Sequence, residues 1–242
     1  MADSFARLKE SFVFNFIEGA RWKYITNGLL VTLKVTFFAL LLGIAIGVVV
    51  AMIRSSYDQT KDEMKPGPGK ALMTALNSAA RLYLTVIRGT PVVVQLLIGY
   101  FVVFISTTNT VLVASLVFGI NSGAYITEII RGGIMSIDAG QFEAGRSLGF
   151  NYIQTMRFII IPQAFKNVLP ALANEFIALL KETAVCGYIG LMDLTKGGDV
   201  IRGRTFSAFM PLLAVALIYL LLVVFFSWLI GKLERRLRSS ER

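Results

Sequence analysis

"QFEAGRSLGFNYIQTMRFIIIPQAFKNVLP", Gln141 to Pro170, interrupts a chain that is strongly apolar on both sides of it. Glycines at 145 and 149, a proline at 162 and charges of both signs make its first half unsuited to hydrocarbon. Read locally, it is two short helices about a turn. Asp138 with Gln141, and Asn151 with Gln154, have the spacing of capping boxes, and Gly149 between them is placed to take a positive φ. Ile153, Met156 and Ile160 share one helical face, and Pro162 is expected to end that second helix. A rigid, partly apolar helical knob outside the membrane predicts that something docks on it.

Composition sets the surroundings of the knob. The 242 residues are 55% hydrophobic and 16% charged, with a mean hydropathy of +0.68. That much apolar surface implies an all-α integral membrane protein. A hydrocarbon core about 30 Å thick takes roughly 20 helical residues. This ruler predicts about five transmembrane helices, near Gly28–Ile53, Pro91–Ser106, Thr110–Arg131, Asn167–Leu191 and Phe209–Gly231, with the knob between the third and fourth. Gly43 and Gly47 are spaced to let another helix approach the first span closely. The charged stretch "KDEMKPGPGK" from Lys61 is read as a loop. Ala71–Ile87 is read as an amphipathic or interfacial helix with Leu72, Ala75, Leu76, Ala79, Tyr83 and Val86 on one face. In "RGTP", Arg88 to Pro91, a helix break is expected, with Thr90 capping the next helix and Pro91 in its first turn. "MDLTKGGDVIRGRTFS", between the last two spans, is read as a soluble loop.

The formal charge is +9. The basic residues cluster beside the spans, so anionic headgroups and topology explain them better than nucleic acid does. Placing the C-terminus in the cytoplasm gives that side Arg54, Lys61, Lys65, Lys70, Arg81, Arg88, Arg131, Arg146, Arg157, Lys166 and the tail residues Lys232, Arg235, Arg236, Arg238 and Arg242. The outer side then receives Arg7, Lys9, Arg21, Lys23, Lys196, Arg202 and Arg204. An odd number of spans puts the N-terminus outside, with no cleaved signal peptide expected. The expected organisation is an extracellular or interfacial segment 1–23, one transmembrane domain 24–231 with the cytoplasmic knob at about 136–165, and a basic cytoplasmic tail 232–242. The chain has no histidine and one cysteine, Cys186. No disulfide, metal site or catalytic group is therefore expected.

Within the knob, "EAGRSLGFNYIQTMRFIIIP" resembles the signature of permease subunits of bacterial ABC importers. That signature is Glu-Ala-Ala, three residues, Gly, nine residues, Ile, one residue, Leu-Pro. Glu143, Ala144, Gly149, Ile159 and Pro162 match it; Gly145 stands for the third alanine and Ile161 for the leucine. The glycine is expected to loosen its helix by up to about 1 kcal/mol. "NGLLVTLKVT" (Asn27–Thr36), "VIRGTPVVVQL" (Val86–Leu96), "SGAYITEIIRGGI" (Ser122–Ile134) and "NEFIALLKETAV" (Asn174–Val185) are similar to the polar amino-acid branch of that family.

The resemblance implies a coupling loop that fits a groove on ATP-binding subunits. It also implies two such subunits, a second permease, identical or related, and an extracellular solute-binding protein, all in a bacterial cell membrane. ATP and magnesium would belong to the partner. No G-x-x-x-x-G-K-[ST] occurs in this chain, since "GPGKA" (Gly67–Ala71) has neither the glycine spacing nor the hydroxyl. The alternative is an ion-gradient-driven secondary transporter or channel subunit.

Polar groups inside the spans carry the remaining expectations. Asn174 and Lys181, and Glu175 and Glu182, are each seven apart, so they form one polar stripe along the fourth span. The stripe offers an anion for a substrate ammonium and a cation or amide for its carboxylate. Equally, Lys181 and a glutamate neutralise each other in helix packing. Asn121 either joins this lining or serves as interhelical glue. Lys34 is read first as a side chain snorkelling to the outer interface. Glu128 and Arg131, three apart, are read as an intrahelical ion pair.

Overall fold

The computed structural model describes residues 2–62 and 64–239, with side chains over 6–62 and 64–236. Glu63 of the charged loop and Arg242 of the basic tail fall outside that description, as does the side chain of Arg238. The described residues form helices and no strands. These are α1 (Ala2–Phe12), α2 (Trp22–Thr60), α3 (Pro68–Gly89), α4 (Val92–Ile98), α5 (Thr110–Met135), α6 (Ala139–Ser147), α7 (Tyr152–Thr155), α8 (Ile161–Glu182), α9 (Leu194–Thr205) and α10 (Phe209–Ser239).

Each expected span corresponds to helical structure, but the five differ in kind. Among the described residues α2, α5 and α10 are long and apolar enough to cross a membrane, and a fourth span is reached by counting the broken pair α3 and α4 together. α4 has only seven residues and continues as a π turn, Gly99–Val103. α8 gives way after Glu182 to a 3-10 stretch, Thr183–Ile189. Its charged residues Lys166, Glu175, Lys181 and Glu182 lower its mean apolarity.

The chain forms two compact units. The first comprises Met1–Ala39, Val92–Phe118 and Ile177–Ser227. Its core joins Phe16, Ile25, Leu194, Ile201 and Val215, with Tyr24, Leu29 and Ile218 packed against them. The segment read as a soluble loop is here the helix α9. Asp193 caps it by accepting from the Lys196 amide at 2.9 Å, and Thr32 Oγ1 accepts from the Leu194 amide at 3.1 Å. Its Gly197 does not break the helix; it lets the backbone of Tyr24 come in, since a Cβ there would lie 2.4 Å from the Tyr24 carbonyl oxygen.

The second unit comprises Leu40–Pro91, Gly119–Phe176 and Trp228–Arg242. α5 lies close against α2 at Gly47, where a Cβ would come within 2.4 Å of Ile126 Cγ2, as the glycine spacing predicts. α3 buries Asn77, Ala80 and Leu84. Its expected apolar face is turned outward, with Leu72, Leu76 and Val86 exposed. The pattern is amphipathic as read, with the apolar face turned away from the protein, as an interfacial helix turns it. Thr90 Oγ1 donates to the Val86 carbonyl at 2.8 Å. Glu128 and Arg131 also depart from expectation. Arg131 pairs with Asp58 at 3.1 Å and Glu128 with Arg88 at 3.6 Å, so each long side chain ties α5 to a neighbouring helix.

Candidate functional site

The knob is assembled in the second unit from α6, α7 and the π turn Met156–Ile160. Asp138 starts α6 by accepting from the Gly140 amide at 2.7 Å. The expected box does not close there, because Gln141 turns its carbonyl to Gln163 Nε2 at 3.3 Å. α6 ends with Gly149 at φ 79°, which lets the Phe150 amide reach back to the Gly145 carbonyl at 3.0 Å. The second box is complete: the Gln154 amide donates to Asn151 Oδ1 at 3.0 Å and the Asn151 amide to Gln154 Oε1 at 2.9 Å.

Pro162 does not end a helix. The preceding π turn widens the backbone, where a regular turn would set the proline ring against the carbonyl four residues back, and the residue becomes the second of α8. The same turn separates residues expected on one face: Ile160 is fully buried, while Ile153 is 73% exposed.

The knob therefore has two sides. Inside, Ile160 packs with Ile134 and Ala164, backed by Phe142, Met156 and Ile159. Outside stand Glu143, Ala144 and Pro162, with Leu148 and Ile153. Gly145 is buried against Thr155, whose Cγ2 and Oγ1 would both lie 2.7 Å from a Cβ at that position. The glycine that looked like a loosened alanine is a fitted contact, and Thr155 Oγ1 opposite it is buried without a hydrogen-bond partner. Gln59 and Thr60 at the end of α2, with Phe142, Arg146, Tyr152 and Thr155, line a cleft of about 270 Å³ under the knob. Burial there pushes the Tyr152 phenol up, against the opposing effect of its hydrogen bond with Ser56.

Of the pathway candidates, Asn121 is buried and belongs to the second unit with Asn174 and Glu175. Asn174 is exposed, and its Nδ2 donates to the Pro170 carbonyl at 3.1 Å. Glu175 accepts from Ser122 Oγ at 2.8 Å. Ser122 was not singled out in the sequence, and a hydroxyl beside Asn121 in the same span was the signal for it. Lys181 is exposed and Glu182 half-buried; both fall in the first unit, as the last two residues of α8. The described residues hold no group of three or more His, Cys, Asp or Glu able to bind a metal.

Residues 70–239 match the family described as "Binding-protein-dependent transport system inner membrane component". The chain belongs to that family. It is 36% identical, over 90% of its length and 94% of the relative's, to the putative glutamine transport system permease protein GlnP of Rickettsia bellii (strain RML369-C). It is 34% identical, over 90% and 94%, to the arginine transport system permease protein ArtQ of Bacillus subtilis (strain 168). Among solved structures, an amino acid ABC transporter matches with a TM-score of 0.79 and 38% identity, covering 91% of this chain and 98% of that one. The inward-facing MetNI methionine ABC transporter matches in fold, with a TM-score of 0.73 at 20% identity over 89% and 97%. The chain is accordingly a multi-pass inner-membrane component of a transport system.

Proposed function

We propose that this chain is the permease subunit of an ATP-driven amino-acid importer. The observation that carries the reading is the knob: a capped, internally packed element whose outward side presents Glu143, Ala144, Leu148 and Ile153. A chain that moved solute alone would have no use for such a surface. In this reading ATP is hydrolysed by two separate ATP-binding subunits that receive the knob. A second permease, identical or related, completes the pathway, and an extracellular solute-binding protein delivers the amino acid. The N-terminus is outside and the C-terminus cytoplasmic, supported by the excess of Lys and Arg on the knob's side. The permease domain spans 24–231, with the coupling loop at about 136–165.

Glu143, Ala144 and Pro162 make the contact; Gly145, Gly149 and Ile159 set its shape. Closure of the ATP-binding subunits displaces the knob, and rigid helices carry the displacement into the spans, exchanging inward for outward access. Asn121, Asn174, Glu175, Lys181 and Glu182 are the residues assigned to the pathway. Their acidic and amide groups suit an ammonium, and Lys181 suits a carboxylate. The names of the relatives, for glutamine and arginine, support an amino-acid substrate.

The test is uptake of a labelled amino-acid mixture into vesicles holding the chain, its partner subunits and the solute-binding protein. Uptake that needs ATP and survives collapse of ion gradients is expected. Uptake that follows an ion gradient without ATP overturns the reading in favour of a secondary transporter.

A further inference from the structure

Between α9 and α10 lies a feature that the coupling role does not use. Phe206 follows the last residue of α9 with a left-handed backbone, φ 52°, and its side chain is 95% exposed. A left-handed backbone is unfavourable for a bulky L-residue and persists only where the surroundings impose it. Here both neighbours are tied to one buried side chain of the same unit. The Thr205 hydroxyl lies 2.9 Å from Asn15 Oδ1, and Asn15 Nδ2 is 3.4 Å from Ser207 Oγ. Asn15, fully buried, is itself held by donating to the Ser11 carbonyl at 2.8 Å. The clasp leaves a large apolar ring uncovered by the rest of the chain.

The setting of the ring is basic. α9 carries Lys196, Arg202 and Arg204 against Asp199. Arg202 and Lys196 both pair with Asp199, and Arg204 stacks over the Tyr24 ring at 5.0 Å. These contacts order the cations of the helix that ends at Phe206, three of them against one carboxylate. An exposed aromatic amid ordered arginines has the composition of an interface anchor. Lipid would accept an exposed ring in any backbone conformation, so a clamped left-handed one is better explained by a partner with a fitted pocket.

We propose that Phe206, presented by the clasp of Asn15, Thr205 and Ser207 and flanked by Arg202 and Arg204, anchors an acidic surface of the extracellular solute-binding protein. This rests on the importer reading and on the orientation that puts α9 outside.

The test uses the complete transporter in lipid nanodiscs, with ATP hydrolysis followed against the concentration of amino-acid-loaded solute-binding protein. Phe206→Ala and Phe206→Gly are expected to raise the half-saturating concentration by roughly 5- to 30-fold, the range for truncating an interface anchor, while the maximal rate is retained. Added salt is expected to raise it for the native chain as well. Phe206→Gly relieves the left-handed strain, so a thermal midpoint at or above the native value separates lost docking from misfolding. Leu221→Ala, at a residue 67% exposed within α10, serves as the control that leaves half-saturation unchanged. Unchanged half-saturation in both Phe206 variants, or a fall in maximal rate alone, overturns the proposal. So does a Phe206→Trp emission quenched by brominated lipid and indifferent to the binding protein, which assigns the ring to lipid. A native transporter that no loaded binding protein stimulates overturns the importer reading, and this inference with it.

Discussion

In the knob, the capping contacts stay within a few residues: Asp138 with Gly140, Asn151 with Gln154, the Gly149 amide with the Arg146 carbonyl. In the segment from Asp193 to Phe209 one cap is equally local, Asp193 with the Lys196 amide, but the other contacts cross most of the chain, Thr32 to Leu194 and Asn15 to Thr205. The first arrangement makes an element whose shape is intrinsic and whose outer side is free for a partner. The second makes a helix that exists because other helices hold it, with glycines admitting neighbouring backbone and a carboxylate buried at its start. A part that transmits force benefits from intrinsic rigidity. A part embedded among other helices is shaped by what surrounds it.

Three changes sharpen or break that comparison. The largest effect is expected from Glu143→Lys on the knob's exposed side. A like charge forced into a docked interface costs about 2 kcal/mol or more, so ATP-coupled uptake should fall by at least about 30-fold. Protease protection of the spans should remain native, since Glu143 lies outside the packed interior. If insertion fails with uptake, the outer side of the knob is structural and the comparison collapses.

Gly145→Ala comes second. It gains up to about 1 kcal/mol of helix propensity but places a methyl 2.7 Å from Thr155. Overpacking costs typically about 1–3 kcal/mol, so a net loss of about 1–2 kcal/mol is expected in the thermal midpoint. Thr155→Ala in the same chain should restore it. Failure of that rescue would mean that the knob's rigidity does not depend on this contact.

The smallest effect concerns Asp193. Burial pushes its carboxyl up to about 6, and its Oδ2 is buried without a hydrogen-bond partner. A raised folded-state pKa means that the folded chain binds the proton more tightly than the unfolded one. The group's contribution is therefore most favourable at acid pH and is lost as pH rises from about 4 through about 6. Asp193→Asn keeps the Oδ1 cap and cannot ionise. Its stability, relative to the native chain, should rise across that window by on the order of 1 kcal/mol, allowing for the amide's own burial. Parallel pH profiles of the thermal midpoint would show instead that the carboxylate is stabilised where it sits.

The places where expectation and structure part have a common origin. Asn151, Gln154 and Gly149 act as read because caps and turns are governed by neighbours along the chain. Pro162 and Ile153 do not, because the π turn Met156–Ile160 between them shifts the register and leaves room for the proline ring. α9 was taken for a loop. Its Gly197 and Gly198 are contact surfaces, and what they contact lies far along the chain, Tyr24 for the first and Val215 for the second. Glu128 and Arg131 were paired by spacing, although arginine is long enough to choose a better-placed carboxylate on another helix. The apolar face of α3 was readable, but the medium it faces was not, because lipid and protein interior are equally apolar.

By itself the sequence determined the class of molecule, the rough places of its apolar helices and the location and caps of the knob, because apolar length and capping are properties of short stretches. The tertiary structure alone decided that Gly145 is fitted to Thr155, that Ser122 meets Glu175, that Arg131 answers Asp58, and that Phe206 stands exposed between two residues tied to Asn15. Each of those depends on two distant stretches arriving at one point, and that arrival is set by packing the whole chain.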